Sequence, residues 1–168
     1  IPLYHPDVRT WEVKRDNKHV GILMIDYHPR ASKRGGAWCS AMRPQRLDEN
    51  GNFVTPLVSM VTNFTPPSGD TPSLLTPDEA STLFHEFGHA LHNLLSNTEY
   101  TSGVSRDFVE LPSQIMEHWV FEPEVLKIYA KHYQTGEVIP DALIEKIEKA
   151  GKFNQGFITT EYLAASSL

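Results

Sequence analysis

The pattern of hydrophobic and polar residues changes near residue 72. Before it, segments rich in β-branched and aromatic residues at 19–27 and 57–64, and a weaker alternating segment at 37–42, predict strands. Turn-forming residues precede each segment, and the proline-rich stretch 66–72 ends the region. We therefore predict a small antiparallel β-sheet of about three strands in residues 1–72.

After residue 72 the apolar residues follow a helical period. Thr76-Pro77-Asp78-Glu79 is a capping box with proline at the first helical position, so it predicts a helix start. Apolar residues at 80, 83, 84, 87, 90, 91 and 94 continue this helix, and residues 96–97 predict its end. Further helices are predicted at 106–121, 124–132, 141–150 and from 155 into the tail, with Pro112 tolerated in a first turn. The predicted fold class is α+β, mainly helical, with the helical part at 73–168.

Composition excludes several classes of protein. The 168 residues suit one domain, and 15 basic against 21 acidic residues give a net charge of -6 without a block of like charge, so a nucleic-acid partner is not expected. No apolar run approaches the roughly 18 residues of a membrane-spanning helix, so no membrane partner is expected. The single cysteine, Cys39, forms no intrachain disulfide, which favours a cytoplasmic location. The first residue, Ile1, is not an initiator methionine, and we expect a piece of a longer polypeptide.

The first predicted helix carries the candidate chemistry. His85-Glu86-Phe87-Gly88-His89 fits the pattern HExxH. At about 100° per residue, the two histidines differ in direction by only about 40°, so both imidazoles can approach one ion. Zinc binds neutral imidazole, and catalytic zinc sites use three protein ligands and leave a fourth position to water. The motif therefore predicts two ligands of a metal centre.

Glu86 is expected to be the catalytic base of this centre. It is rotated by about 100° from His85 and flanks the metal instead of sharing it. A bound divalent cation lowers the pKa of its water towards about 7, so Glu86 can accept the proton while the resulting hydroxide attacks a peptide carbonyl. The glutamate would then pass the proton to the leaving amine. The pattern thus favours peptide hydrolysis by metal-activated water.

The third ligand is not decided by spacing. The position six residues after His89 is Leu95, which excludes a metzincin. His92 shares the helical face of the motif, but one short helix does not easily bring three side chains to one ion, so we favour a position on the helix surface or a role beside the ligands. Glu110 and Glu117 lie seven residues apart on one side of the next predicted helix, and both remain candidates. The alternative without a metal is a pair of solvated histidines on an amphipathic helix.

The amino-acid sequences of two segments resemble those of the thimet oligopeptidase family of zinc peptidases. They are FHEFGHALH at 84–92 and RDFVELPSQ at 106–114, and segments at 5–9, 33–38, 117–119 and 131–136 most resemble the family's bacterial peptidyl-dipeptidases. The resemblance covers essentially the whole chain. It implies that Zn²⁺ is bound by His85, His89 and Glu110, that Glu86 is the base and that Glu117 partners a ligand histidine. It also implies release of C-terminal dipeptides from short peptides in a deep channel.

The same resemblance implies that residues 1–168 are a single fragment, about a quarter of the enzyme, from its catalytic domain. The expected partners are short peptide substrates and the rest of the parent polypeptide, namely an N-terminal helical half and a C-terminal segment with tyrosine and histidine. The loop 100–105 is a few residues shorter than the family's glycine-containing loop. Two alternatives remain: an endo-acting oligopeptidase of the same family, and an isolated metal-binding module without turnover. We expect little activity from the chain alone.

Three further features have competing interpretations. The strand 57–64 is expected at a sheet edge, where it either pairs with an extended substrate or is purely structural. Arg30, Lys33 and Arg34 either attract a substrate carboxylate or, as we favour, form a solvated basic loop. Cys39 is predicted to be a small buried residue without thiol chemistry.

Overall fold

The chain folds into two compact units. The computed structural model describes residues 3–100 and 103–167, and the chain divides into Ile1–Val120 and Phe121–Leu168. Strands and helices are both present, which confirms the predicted α+β class. The assignment of residues 1–72 and 73–168 to two parts of one catalytic domain stays a prediction.

The first unit contains a four-stranded mixed sheet. Its strand order is β1-β2-β6-β3, and a separate two-stranded sheet pairs β4 with β5. The strands are β1 Arg9–Arg15, β2 Lys18–Asp26, β3 Trp38–Arg43, β4 Arg46–Leu47, β5 Phe53–Val54 and β6 Leu57–Val61. Strand β6 runs parallel to β2 and antiparallel to β3.

The sheet corrects three details of the sequence prediction. It has four strands where about three were predicted, and it is mixed, because β2 and β6 pair in parallel. Strands buried on both faces read as continuous apolar runs, so their sequences do not reveal the direction of pairing. Strand β6 lies between β2 and β3, so the expected edge position of 57–64 is wrong. Among the described residues, the edges of this sheet are β1 and β3.

Strand β1 was not predicted because its side chains are mostly exposed and show no buried face. The signal for it lies in the turn that follows. Asp16 and Asn17 both have positive φ, 50° and 60°, and join β1 to β2 in a two-residue hairpin. Asp and Asn tolerate this left-handed region better than other non-glycine residues, which makes such a pair a hairpin signal.

Two helices complete the first unit. They are α1 Pro77–Leu94 and α2 Leu111–Val120. The capping box of α1 is confirmed: the Glu79 N–H donates to the Thr76 hydroxyl at 3.2 Å, and the Thr76 N–H donates to Glu79 Oε2 at 2.9 Å. Helix α1 packs on the sheet through a core whose members are Leu23, Ile25, Val58, Met60, Ala90 and Leu94.

Helix α2 begins five residues later than predicted, at Leu111 instead of residue 106. Pro112 has no N–H to donate to the carbonyl of residue 108, and in a longer helix its ring would clash with that carbonyl, so the preceding segment does not continue into α2 as an α-helix. It forms turns instead, in which the Ser105 carbonyl accepts from the N–H groups of Phe108 at 3.0 Å and Val109 at 3.1 Å. The consequence is that Glu110 lies immediately before the helix.

The predicted basic loop is partly a buried ion network. Asp26, at the end of β2, is only 1% exposed. Arg30 donates to its two carboxylate oxygens at 2.9 and 2.8 Å, and Lys33 Nζ donates to Oδ1 at 3.0 Å. The Lys33 side chain is itself 3% exposed, so the interpretation of Arg30 and Lys33 as solvated residues is wrong for this pair. Their charges compensate the buried carboxylate.

The second unit consists of three helices. They are α3 Pro123–Tyr129, α4 Asp141–Gly151 and α5 Gln155–Ser166, close to the predicted helices. Leu126 of α3 and Ile144 of α4 are buried, whereas α5 has no buried residue within the described range. No helix of the described chain combines the length and apolar character needed to cross a membrane.

Candidate metal centre

Helix α1 places the two motif histidines on one face. The ring centroids of His85 and His89 are 5.0 Å apart and nearly perpendicular. Their side chains are 26% and 16% exposed, so both are mostly covered yet open on one side. The position of the helix relative to the sheet is set by Ala90 and Leu94, which pack in the core of the sheet.

Glu110 approaches both imidazoles from the turn before α2. Its Oε2 lies 3.2 Å from His85 Nε2 and 3.1 Å from His89 Nε2. One ligand atom from each of the three residues lies within 4.8 Å of the other two. Ligands of a tetrahedral zinc ion, at about 2.0–2.2 Å from the metal, are separated by about 3.3 Å. The three side chains therefore fit a zinc ion in spacing and in donor type.

A close helix contact allows this approach. A Cβ on Gly88 would lie 2.6 Å from Ser113 Cα and would also overlap the Pro112 carbonyl oxygen. Because glycine has no Cβ, α1 and the first turn of α2 can touch at this point. The glycine inside HExxH thus brings the Glu110 turn within reach of the histidines.

Two further side chains fix the orientation of these groups. His85 Nδ1 lies 2.6 Å from Glu117 Oε1, on the ring nitrogen opposite to the one that faces Glu110. The Ser113 hydroxyl lies 2.7 Å from Glu110 Oε2, and Ser113 is fully buried. Spacing left Glu110 and Glu117 open as candidates, and the fold gives them different positions. Ser113 was missed, although its place three residues after Glu110 at a helix start was a signal.

The surroundings shift the ionisation of three groups. Burial lowers the pKa of His89 against the opposing effect of the Glu110 carboxylate, which favours neutral imidazole, the form that binds metals. The Ser113 hydrogen bond lowers the pKa of Glu110, which favours the carboxylate. Burial raises the pKa of Glu86; His85 opposes this and Glu110 adds to it.

Glu86 lies beside the histidine pair in a cavity of about 420 Å³. The cavity is lined by Ala37, Asp78, Ser81, Thr82, His85, Glu86 and Glu117. Glu86 is 6% exposed, and its Oε2 is buried with no hydrogen-bond partner among the described residues. A buried polar atom without a partner is costly and uncommon in folded proteins. Glu86 therefore keeps an unused acceptor oxygen beside the histidine pair.

A second cavity, of about 360 Å³, is lined in part by Ala41, His89, His92 and Val109. The His92 ring packs edge-on against Phe108 at 6.5 Å. In the described part of the chain, His92 is not in the trio of candidate ligands, and its role stays a prediction. Thr101 and Ser102, in the loop with the predicted shortening, lie outside the described residues.

Strand β3 connects the two cavities. Ala37, immediately before β3, lines the cavity of Glu86, and Ala41, within β3, lines the cavity of His89. The edge strand therefore runs past both halves of the candidate centre. Pairing with an extended substrate was one of two interpretations of residues 57–64, but β6 is a central strand.

Two histidines one helical turn apart, with a carboxylate from the turn before the next helix and a buried glutamate beside them, are the arrangement of an HExxH metallopeptidase. The whole chain, residues 1–168, matches the model of peptidase family M3. The chain belongs to this family, which confirms the resemblance seen in the sequence.

Curated relatives agree with this assignment. Over 100% of its own length, the chain is 44% identical to dipeptidyl carboxypeptidase of Escherichia coli. Over 91% of its own length, it is 41% identical to oligopeptidase A of the same organism. It is 38% identical to organellar oligopeptidase A of Arabidopsis thaliana over 99%. The chain spans about a quarter of these relatives, 25%, 23% and 22% of their lengths.

Proposed function

We propose that the chain supplies the metal-holding part of a zinc-dependent peptidyl-dipeptidase, which releases C-terminal dipeptides from short peptides. The observation that carries this proposal is the convergence of His85 Nε2 and His89 Nε2 on Glu110 Oε2, at 3.2 and 3.1 Å. Two imidazoles and one carboxylate are a donor set used by catalytic zinc sites. In this proposal His85, His89 and Glu110 bind Zn²⁺.

When bound, zinc supplies a Lewis acid that polarises a peptide carbonyl and acidifies water. Glu86 is the general base: its buried carboxylate takes a proton from the attacking water and later donates it to the leaving amine. The unpartnered Oε2 of Glu86 supports this role. Glu117 and Ser113 orient His85 and Glu110 through their hydrogen bonds and do not touch the substrate.

The substrate is proposed to lie extended along β3. An edge strand offers backbone groups to which a peptide adds as a further strand, largely independently of side-chain identity. Because β3 runs from the cavity of Glu86 to that of His89, a peptide on it would cross the candidate centre. This path suits short, unstructured peptides, since a folded chain does not present a free extended segment.

A second candidate is an endo-acting oligopeptidase with the same chemistry. The identity of 41% to a protein named oligopeptidase A favours it as a real alternative. A third is a metal-binding module without turnover, which applies to the chain by itself and follows from its span of about a quarter of the relatives.

We also propose that the parent polypeptide completes the cleft and that residues 1–168 belong to one catalytic domain; the cytoplasmic location stays a prediction.

The test uses the full-length polypeptide. Zinc content is measured by elemental analysis, and cleavage products of a hexapeptide with a free or an amidated C-terminus are identified by mass spectrometry. Dipeptides released only from the free C-terminus support the peptidyl-dipeptidase, and equal internal cleavage of both peptides supports the endo-acting alternative. Glu86→Gln should keep zinc and lose turnover. Hydrolysis by Glu86→Gln at the rate of the unmodified protein would contradict the proposed mechanism.

A further inference from the structure

The segment between β2 and β3, residues 27–37, leads directly into the proposed substrate strand. It contains neither helix nor strand and includes Gly35 and Gly36, of which Gly36 has a φ of +88°. Glycines lose more conformational freedom on ordering than other residues. Yet the last residue of the segment, Ala37, lines the cavity of Glu86. Its position therefore depends on contacts from outside the segment.

Asn63 makes such contacts with its side-chain amide. Its Nδ2 donates to the Arg34 carbonyl at 3.0 Å and to the Gly36 carbonyl at 2.7 Å. Because both partners are carbonyl oxygens, the group that meets them must be the amide nitrogen, which has two hydrogens to donate. The two bonds flank Gly35 and fix the backbone immediately before Ala37.

The backbone on both sides of Asn63 is firmly held. It follows the central strand β6, and the N–H groups of Thr62 and Phe64 donate to the carbonyls of Asp26 and Tyr27, each at 2.9 Å. Thr62 is fully buried. The amide of Asn63 therefore projects from a rigid part of the sheet, which lets it restrain a neighbouring segment.

The first half of the segment is fixed by a different group. Lys33 Nζ donates to the His28 carbonyl at 2.8 Å and to the Asp26 carboxylate at 3.0 Å. The Arg34 guanidinium lies over the Trp38 ring at 4.9 Å, across the two glycines. The restraint from Asn63 thus acts on residues 34–37, which the lysine contacts do not reach.

We infer that Asn63 is a positioning residue for peptide binding. It holds residues 34–37 so that the start of β3 faces the cavity of Glu86 in an orientation that accepts an extended peptide. Asn63 acts through the backbone and does not touch substrate or metal. This inference rests on the proposed function, in which the peptide adds to β3.

The experiment uses the full-length, zinc-loaded protein. Peptide affinity is measured by calorimetry with a hexapeptide in the Glu86→Gln background, where binding is separated from turnover, and hydrogen exchange is followed at residues 34–38. Asn63→Ala and Asn63→Asp both remove the donors, while Asn63→Gln keeps them on a longer side chain. Asn52→Ala is the matched control, because the Asn52 amide donates to Asp48 at 3.1 Å in the turn between β4 and β5.

Loss of two hydrogen bonds should raise the peptide Kd by about tenfold in Asn63→Ala and Asn63→Asp. Exchange at 34–38 should accelerate, zinc content should stay the same, and Asn63→Gln should restore part of the affinity. In the active enzyme, KM should rise by about the same factor while kcat changes by less than about twofold, as expected for lost ground-state binding. Asn52→Ala should change none of these values.

The inference is overturned if exchange at 34–38 is unchanged, or if it accelerates with no change in peptide affinity. Loss of zinc and faster exchange throughout the protein would also overturn it, because Asn63 would then maintain the fold as a whole. Failure of the proposed function has a different signature: the protein with native Asn63 would neither bind nor hydrolyse the hexapeptide.

Discussion

Gly88 of α1 and Ser113 of α2 lie so close that a Cβ on Gly88 would come within 2.6 Å of Ser113 Cα. Gly88→Ala must therefore push the two helices apart and move Glu110 away from His89. Such overpacking costs about 1–3 kcal/mol of stability. A displacement of about 1 Å at a reacting centre can reduce turnover by about 100-fold. We expect weaker zinc binding and this loss of kcat/KM, measured by chelator competition and peptide hydrolysis.

Gly156→Ala is the control for this substitution, since nothing lies within 4 Å of a Cβ at Gly156. It should keep zinc affinity and turnover. If Gly88→Ala also kept both, the approach of the two helices at Gly88 would not be what positions the Glu110 turn.

Glu117 accepts a hydrogen bond from His85 Nδ1 at 2.6 Å when that nitrogen carries the proton. This bond selects the tautomer that leaves Nε2 free to bind zinc. Glu117→Ala should raise the Kd for zinc by about 10- to 100-fold, and Glu117→Gln, which keeps an acceptor oxygen, should raise it less. Equilibrium competition with a zinc-binding dye measures both values. An exposed acidic residue on α3 supplies the control, Glu124→Ala, and an equal effect there would contradict the specific role of Glu117.

The parts of the site that local sequence encodes were predicted well. The capping box and the periodic apolar residues define α1, and the spacing of His85 and His89 places their rings on one face. The choice between Glu110 and Glu117 was not accessible to spacing, because it depends on where α2 begins. Pro112 delays that start and leaves Glu110 in a turn directed at both rings.

Long-range pairing explains the remaining differences. Strands β2 and β6 pair in parallel although β3, β4 and β5 lie between them in the chain. Neither sequence segment indicates whether its strand pairs in parallel or antiparallel. The burial of Asp26 was equally hidden, because its partners Arg30 and Lys33 look like a solvated basic loop until the fold brings them onto the carboxylate. Sequence patterns therefore describe elements better than the contacts between them.

Asp26 is expected to stabilise the fold in a pH-dependent way. Burial alone would raise the pKa of its carboxyl, but hydrogen bonds from Arg30, Lys33 and Tyr4 outweigh burial and lower the pKa. Its stabilisation is therefore fully present above the unfolded-state pKa of about 3.9 and is lost as the pH falls through the lower folded-state pKa. Asp26→Asn should cost about 3 kcal/mol at pH 7, because Lys33 stays buried without its counter-charge.

Urea unfolding at pH 7, 5, 4 and 3 tests this expectation. The difference in free energy of unfolding between the unmodified protein and Asp26→Asn should be constant from pH 7 to 5 and shrink below about pH 4. Asp70→Asn, at an exposed position, is the control and should change stability little at any pH. A difference for Asp26→Asn that grows on acidification would have the wrong sign for a carboxyl with a lowered pKa.

Cys39, which was predicted to be a small buried residue, is half-buried in β3, where it packs against the core cluster. Burial, with a smaller contribution from the Glu86 carboxylate, raises the pKa of its thiol to about 12. The thiolate is the reactive form, so at pH 8 Cys39 should be alkylated by iodoacetamide about 1000-fold more slowly than an unshielded cysteine.

Mass spectrometry of the peptide that contains Cys39, sampled over time in buffer and in 8 M urea, measures the rate. The urea sample controls for reagent activity and should react at the rate of a free thiol. Fast labelling of the folded protein at pH 8 would mean that β3 opens to solvent at this position, and an open β3 would be a poor template for the extended peptide that the proposed function requires.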